Sequence, residues 1–216
     1  MRIGLWLSMP GLYSLKEFRI EDDRWLRIRN YHLRRFKEAL KSGLVDDGII
    51  PLLETVNKHP DFVSRSSCYG RILLLREYGI PKKGRDVIIG KYHHPIDMDT
   101  IKHAIKGISD YTLWMNIEGT IVHIATNSLI NAEKLLEIAY KSGYNYSTIY
   151  SISDRGVTIE LLERRKVSVL LGDGKYGYFI NDKALKKLYN YIIGMFREID
   201  RKINTFITLF KDDFTD

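Results

Sequence analysis

The chain has 216 residues, 44% hydrophobic and 28% charged, the balance of a folded protein that buries a core without disulfides or a structural metal. Its single cysteine excludes an internal disulfide and is consistent with a reducing cytoplasm, and no apolar run approaches the roughly 20 residues of a membrane span. The net charge of +7 points to a polyanionic partner such as nucleic acid.

The opening stretch "MRIGLWLSMPGLYS" carries one cation, Arg2, and is broken by Pro10. A charged run follows with no small-residue cleavage site, so it reads as a short strand or a poorly ordered tail rather than a signal peptide. Residues 1–22 are taken as an extension and 23–211 as a single domain. Asp22 or Asp23 is placed to cap a helix over 24–42, with Trp25, Ile28, Phe36 and Leu40 in its apolar stripe and Gly43 at its end. Arg24, Arg27, Arg34, Arg35, Lys37 and Lys41 make that helix strongly basic, either as a solvated face or as one that meets RNA.

A second helix follows Asp46 or Asp47, and "FVSRSS" and "GRILLL" read as strand-like runs joined at Cys68–Tyr69–Gly70. A polar loop, "YGIPKKGRD", leads to the strand "VIIGKYHH". Asp97 or Asp99 caps a helix ending near Lys106, and "YTLWMNI" and "TIVHIAT" are paired strand candidates across Glu118–Gly119. Ser128 or Asn127 caps the next helix, which Gly143 stops. Strands continue over 146–180. A long helix over 182–211 repeats Leu185, Leu188, Ile192, Phe196, Ile199, Ile203, Phe206 and Phe210 at steps of three and four. Such a seam packs across a domain or pairs two copies weakly, so a monomer or a weak dimer through this helix is expected. The mixture of elements, without strict alternation, predicts an α+β fold with a mixed sheet flanked by helices.

"GDGKYG" has the glycines of a phosphate loop without the G-x-G-x-x-G spacing and reads as a hairpin turn. Cys68, His93, His94 and His123 show no zinc-like spacing, so no metal is expected. Cys68 with a histidine base is one candidate constellation, with Arg65 and Arg71 favouring a thiolate; a small buried thiol at a strand end is the other. Ser66, Ser67, Cys68, Arg71, His93, Glu118 and His123 all fall at or near strand ends, where convergence would make a polar pocket.

The segment "GLVDDGIIPLLETVNKHPDFVSRSSCYGRI" strongly resembles the signature region of the tRNA wybutosine-synthesising methyltransferases, through Gly43, Val45, Asp46, Asn57, Asp61, Ser66, Ser67, Cys68, Gly70, Arg71 and Ile72. "KYHHPID" is similar to the family's W-H-x-P-V segment at His93 and Pro95. "LWMNIEGTIVHIAT" is similar to L-W-x-x-x-E-P-x-I-x-H-V at Leu113, Trp114, Glu118, Ile121 and His123. The likeness extends from about residue 25 to 205. Tyr69 replaces a serine, Tyr92 a tryptophan, and Gly119 and Thr120 stand where prolines are usual.

The resemblance implies methyl transfer from S-adenosylmethionine to N4 of a 4-demethylwyosine base in tRNA-Phe, on a fold other than the Rossmann type. It also implies a cytoplasmic enzyme of archaeal, thermophilic type, which agrees with the absence of glutamine. Within it, Ser66, Ser67, Cys68, Gly70 and Arg71 are expected to form a cofactor wall. His123 or His93 is the expected base, with Glu118 or Asp46 orienting it or serving instead. Arg27, Arg34, Arg35, Lys82 and Lys83 are expected to meet the RNA, and Tyr69 or Trp114 to stack on the base. Tyr69 is also the feature that favours the alternative, a non-catalytic tRNA-binding paralogue.

Overall fold

The computed structural model describes residues 18–78 and 87–214. The expected N-terminal tail and the RNA-binding candidates Lys82 and Lys83 lie outside the described residues. The fold is α+β. Its helices are α1 (Asp22–Lys41), α2 (Ile50–Lys58), α3 (Met98–Lys106), α4 (Leu129–Lys141) and α5 (Asp182–Phe214). Its strands are β1 (Phe62–Cys68), β2 (Arg71–Glu77), β3 (Val87–Tyr92), β4 (Thr112–Glu118), β5 (Ile121–Thr126), β6 (Thr148–Ser153), β7 (Gly156–Leu162), β8 (Lys166–Asp173) and β9 (Gly177–Tyr178).

The strands are divided between two sheets, ordered β1-β5-β7-β6 and β3-β2-β4-β8-β9. Every pairing in the five-stranded sheet is antiparallel, unlike the parallel sheet of a dinucleotide-binding fold. β4 and β5 were expected to pair with each other. Each instead joins a different sheet, as do β1 and β2. The short turns at Tyr69–Gly70 and Gly119–Thr120 are therefore crossings from one sheet to the other. The crossings are laced together: Thr120 Oγ1 donates to Tyr69 O at 2.6 Å, Gly119 N–H to Arg165 O at 3.2 Å, and Glu163 N–H to Thr120 O at 2.9 Å. A proline at 119 would lack the donor this lacing uses.

The contacts sort the chain into two compact units. One holds the described residues up to Ser67, Val122–Leu162 and the residues from Ile203 on; the other holds Cys68–Ile121 and Glu163–Lys202. In the first unit, Trp25 is the buried anchor of α1, and its Nε1 donates to Pro60 O at 2.8 Å. It packs with Ile20, Val63 and Ala125, so the end of the expected extension belongs to the core. Leu129 N–H donates to Phe18 O, and Ile20 N–H to Asn127 O. Gly43, at φ 63, ends α1 as expected. Asp22 and Asp23 lie in the first turn rather than capping it, the N-cap being Glu21. α2 is preceded by a 3-10 turn, Asp47–Ile49.

Two motif residues work as architecture here. Asn57 and Ser64 bond reciprocally, Asn57 Nδ2 to Ser64 Oγ at 2.9 Å and Ser64 N–H to Asn57 Oδ1 at 2.8 Å, which ties α2 to β1. Asp61 accepts from Asn127 and Asn131 at 2.7 and 3.1 Å. Hydrogen bonds to a charged acceptor contribute about 1.5–3 kcal/mol each.

In the second unit β4 alternates. Leu113, Met115 and Ile117 are fully buried, while Thr112, Trp114, Asn116 and Glu118 are half-buried on the opposite face. Register carries the alternation across strands, setting Ile72 opposite Ile117 and Arg71 opposite Glu118. Asp97 and Ser128 cap α3 and α4 as expected, accepting from Thr100 N–H at 2.6 Å and Asn131 N–H at 3.2 Å. "GDGKYG" is the β8–β9 hairpin turn, with Gly177 at φ 81. The seam of α5 is buried at Leu185, Ile192, Phe196, Ile199, Ile203, Phe206 and Phe210, so it is used within the chain. None of the described helices is long and apolar enough to cross a membrane.

Candidate active site

In the first unit, three side chains on adjacent strands form a line. Ser66 on β1 places Oγ 2.9 Å from His123 Nδ1 on β5. His123 Nε2 lies 3.2 Å from Glu160 Oε1 on β7, angled off a hydrogen-bond line. An ion pair tolerates that angle, so Glu160 attracts the ring most once the imidazole is charged. Ser66 is exposed, and His123 and Glu160 are mostly covered. Tyr150 meets the His123 ring edge-on, with centroids 4.9 Å apart, and is 65% exposed. It is the extra residue where the β6–β7 register slips between Ile149 and Ser151; such a bulge re-aims a side chain.

Beside Ser66 is a cleft of about 230 Å³, with Phe36, Leu44, Val45 and Leu53 as apolar lining and Ser64, Ser66, Ser67, Arg65, His32 and Arg35 as polar lining. A flat apolar group with a few polar edges suits such a cavity.

In the second unit, Arg71, Glu118 and Lys166 stand in one row across β2, β4 and β8. Arg71 Nε donates to Glu118 Oε2 at 2.5 Å, and Lys166 Nζ lies 3.1 Å from Oε1. Burial raises the Glu118 carboxyl, but the hydrogen bonds from Arg71 and Lys166 outweigh it and leave the group below its ordinary value. His93 Nδ1 is 3.0 Å from Gly70 O and 3.8 Å from Cys68 Sγ. A carbonyl only accepts, so this contact places the proton on Nδ1, the nitrogen that faces the sulfur. That is the wrong tautomer for deprotonating the thiol.

Several expectations change. The carboxylate beside His123 is Glu160; Glu118 is held by its two cations, and Asp46 is the N-cap of the 3-10 turn. Gly70 is required by the packing of the protein itself: at φ 141, a Cβ there would stand 2.8 Å from Ile199 Cδ1 and 3.2 Å from Glu118 O. Tyr69 is 7% exposed, packs against Phe196 and donates to Asp200 Oδ1 at 2.6 Å, so it is a core residue and unavailable for stacking. Trp114 Nε1 is engaged by Glu77 at 2.6 Å. Arg27, Arg34 and Arg35 are exposed along α1. Glu160 and Tyr150 were not singled out from the sequence; the signal for Glu160 is one charged residue within the otherwise uncharged "GVTIELL" strand.

The family model described as Methyltransferase TYW3 matches residues 26–212. A Pyrococcus abyssi protein named tRNA(Phe) 7-((3-amino-3-carboxypropyl)-4-demethylwyosine(37)-N(4))-methyltransferase 1 is 32% identical over 180 residues, spanning 83% of this chain and 92% of its own. A Methanocaldococcus jannaschii protein bearing the same name without the final numeral is 34% identical over 172 residues, 77% of this chain and 86% of its own. Among solved structures, the PH1069 protein from Pyrococcus horikoshii matches with a TM-score of 0.80 at 28% identity, covering 87% of this chain and 96% of that one. A hypothetical protein from Aeropyrum pernix matches at 0.63 and 29%, covering 76% and 95%.

Proposed function

This chain belongs to the Methyltransferase TYW3 family, and we propose that it methylates N4 of a 4-demethylwyosine-type base at position 37 of tRNA-Phe in the cytoplasm. The names of its Pyrococcus abyssi and Methanocaldococcus jannaschii relatives support that substrate. The observation that carries the mechanism is the Ser66–His123–Glu160 line.

S-Adenosylmethionine supplies the methyl on a sulfonium, which makes the sulfur a neutral leaving group. The nitrogen must lose its proton as the N–C bond forms. The Ser66 hydroxyl takes that proton while giving its own to His123 Nδ1, and the imidazolium so formed is held by Glu160. Tyr150 offers an exposed ring beside His123 on which a flat base stacks.

The residues present suit the amino-acid end of the methyl donor. The Arg71–Glu118–Lys166 row holds two cations and one carboxylate, and Glu118 engages Arg71 through Nε, leaving the fork nitrogens for a carboxylate. Cys68 and Gly70 belong to the same unit as this row and remain in the proposed wall. Tyr69 removes nothing from this machinery, which weakens the non-catalytic reading.

The test is transfer from labelled S-adenosylmethionine into tRNA-Phe carrying the 4-demethylwyosine base, read by nucleoside mass spectrometry. A gain of one methyl on the tricyclic base is expected. tRNA binding without transfer would overturn the enzyme in favour of a binding protein.

A further inference from the structure

The first unit carries a second cleft, of about 610 Å³, lined by Arg24, Arg27, Arg35, Arg155, His32 and Asp154, with Tyr31 beside them. Four arginines face one carboxylate there, and Asp154 is already paired with Arg24. His32 and Arg35 also line the smaller cleft that contains Ser66, so they form a wall common to both. Arg65, in the lining of the smaller cleft, donates to Thr158 Oγ1 and Arg155 O, each at 2.8 Å. Its Nε is buried with no hydrogen-bond partner. Guanidiniums gathered around a single carboxylate are costly unless a further anion joins them.

We propose that this arginine cleft binds a backbone phosphodiester of the RNA, adjacent to the cleft that contains Ser66, with His32 gaining a proton as the phosphate arrives. The proposal rests on the reading of the substrate as RNA and adds Arg155, Arg65 and His32 to it. His32 is held down to about 4 by burial and by Arg65, Arg35 and Arg155. These groups come from β1, from α1 itself and from the β6–β7 turn; Arg24, Arg27, Tyr31 and Asp154 are the other charged or titratable groups in the cleft. An anion seated among them offsets the repulsion from the arginines and favours the charged ring.

The experiment is fluorescence anisotropy with an unmodified anticodon stem-loop of tRNA-Phe sequence, so that it does not depend on methylation. Arg155→Ala should weaken binding about five- to tenfold and lower the salt slope by about 1. Arg155→Glu should weaken it further. From pH 7.5 to 5.5 the wild type should gain about tenfold more affinity than His32→Asn, if the anion returns the ring to its ordinary value of about 6.5. Arg155 variants that bind like wild type, while Arg34→Ala/Lys37→Ala loses affinity, would overturn the cleft and leave RNA bound on the other face of α1. An equal pH response in His32→Asn would overturn proton uptake. Failure of the wild type to bind any RNA would sink the substrate reading itself.

Discussion

Glu160 and Glu118 are the same residue on strands of the two units, and their side chains are almost equally covered, at 18% and 20% exposure. They are nevertheless suited to opposite tasks. Glu118 faces two cations that keep their charge at neutral pH, and it is driven below its ordinary value. Its row is a fixed electrostatic surface. Glu160 faces an imidazole, a partner able to change charge during turnover. Burial does not assign a carboxylate its role; the partner's capacity to change charge does.

The largest expected effect lies on the fixed side. Lys202, 6% exposed, pairs with Glu163, and Glu163 holds the Gly119–Thr120 crossing beside Glu118. Lys202→Ala strands a buried carboxylate and should cost about 3–5 kcal/mol, or roughly 10 °C in Tm. The apolar double variant Lys202→Met/Glu163→Leu should recover most of it. A wild-type melting curve for Lys202→Ala would show that the pair braces nothing. Next comes the switchable side. His123→Ala should lower kcat about 100-fold or more with Tm little changed, and Glu160→Gln about tenfold through the same step. Glu118→Gln, by contrast, should act on KM for S-adenosylmethionine. Turnover near wild type in His123→Ala would end the relay.

Most of the local structure was legible in the sequence because local chemistry decides it: caps at Asp97 and Ser128, the stop at Gly43, the hairpin at Gly177. The assignment of strands to sheets was not. "LWMNIEGTIVHIAT" has the pattern of a hairpin, and only long-range pairing of β4 with β2 and β8, and of β5 with β1 and β7, decides otherwise. His123 and Ser66 were legible as motif residues. Glu160 and Tyr150 depend on which strand lies next to β5 and on a bulge, neither of which has a local signal. Gly70 and Tyr69 show the reverse case, motif positions that serve packing.

The smallest expected effect separates the two regions by pH. His32, in the first unit, has its value lowered from 6.5 to about 4 by burial and three arginines. The unfolded chain therefore takes up this proton before the folded one, and stability declines as pH falls from about 6.5 toward 4. The ring is only half-buried, so after screening the loss is on the order of 1 kcal/mol, or about 2–4 °C in Tm. Glu118, in the second unit, is depressed. Its contribution is present above the ordinary carboxylate value and is lost only as pH falls below that, through the folded value. Melting curves from pH 7.5 to 3.5 should therefore show His32→Asn flattening the upper window alone and Glu118→Gln the lower window alone. A His32→Asn curve parallel to wild type between pH 6.5 and 5 would mean that the arginines around the ring are already neutralised in the free protein.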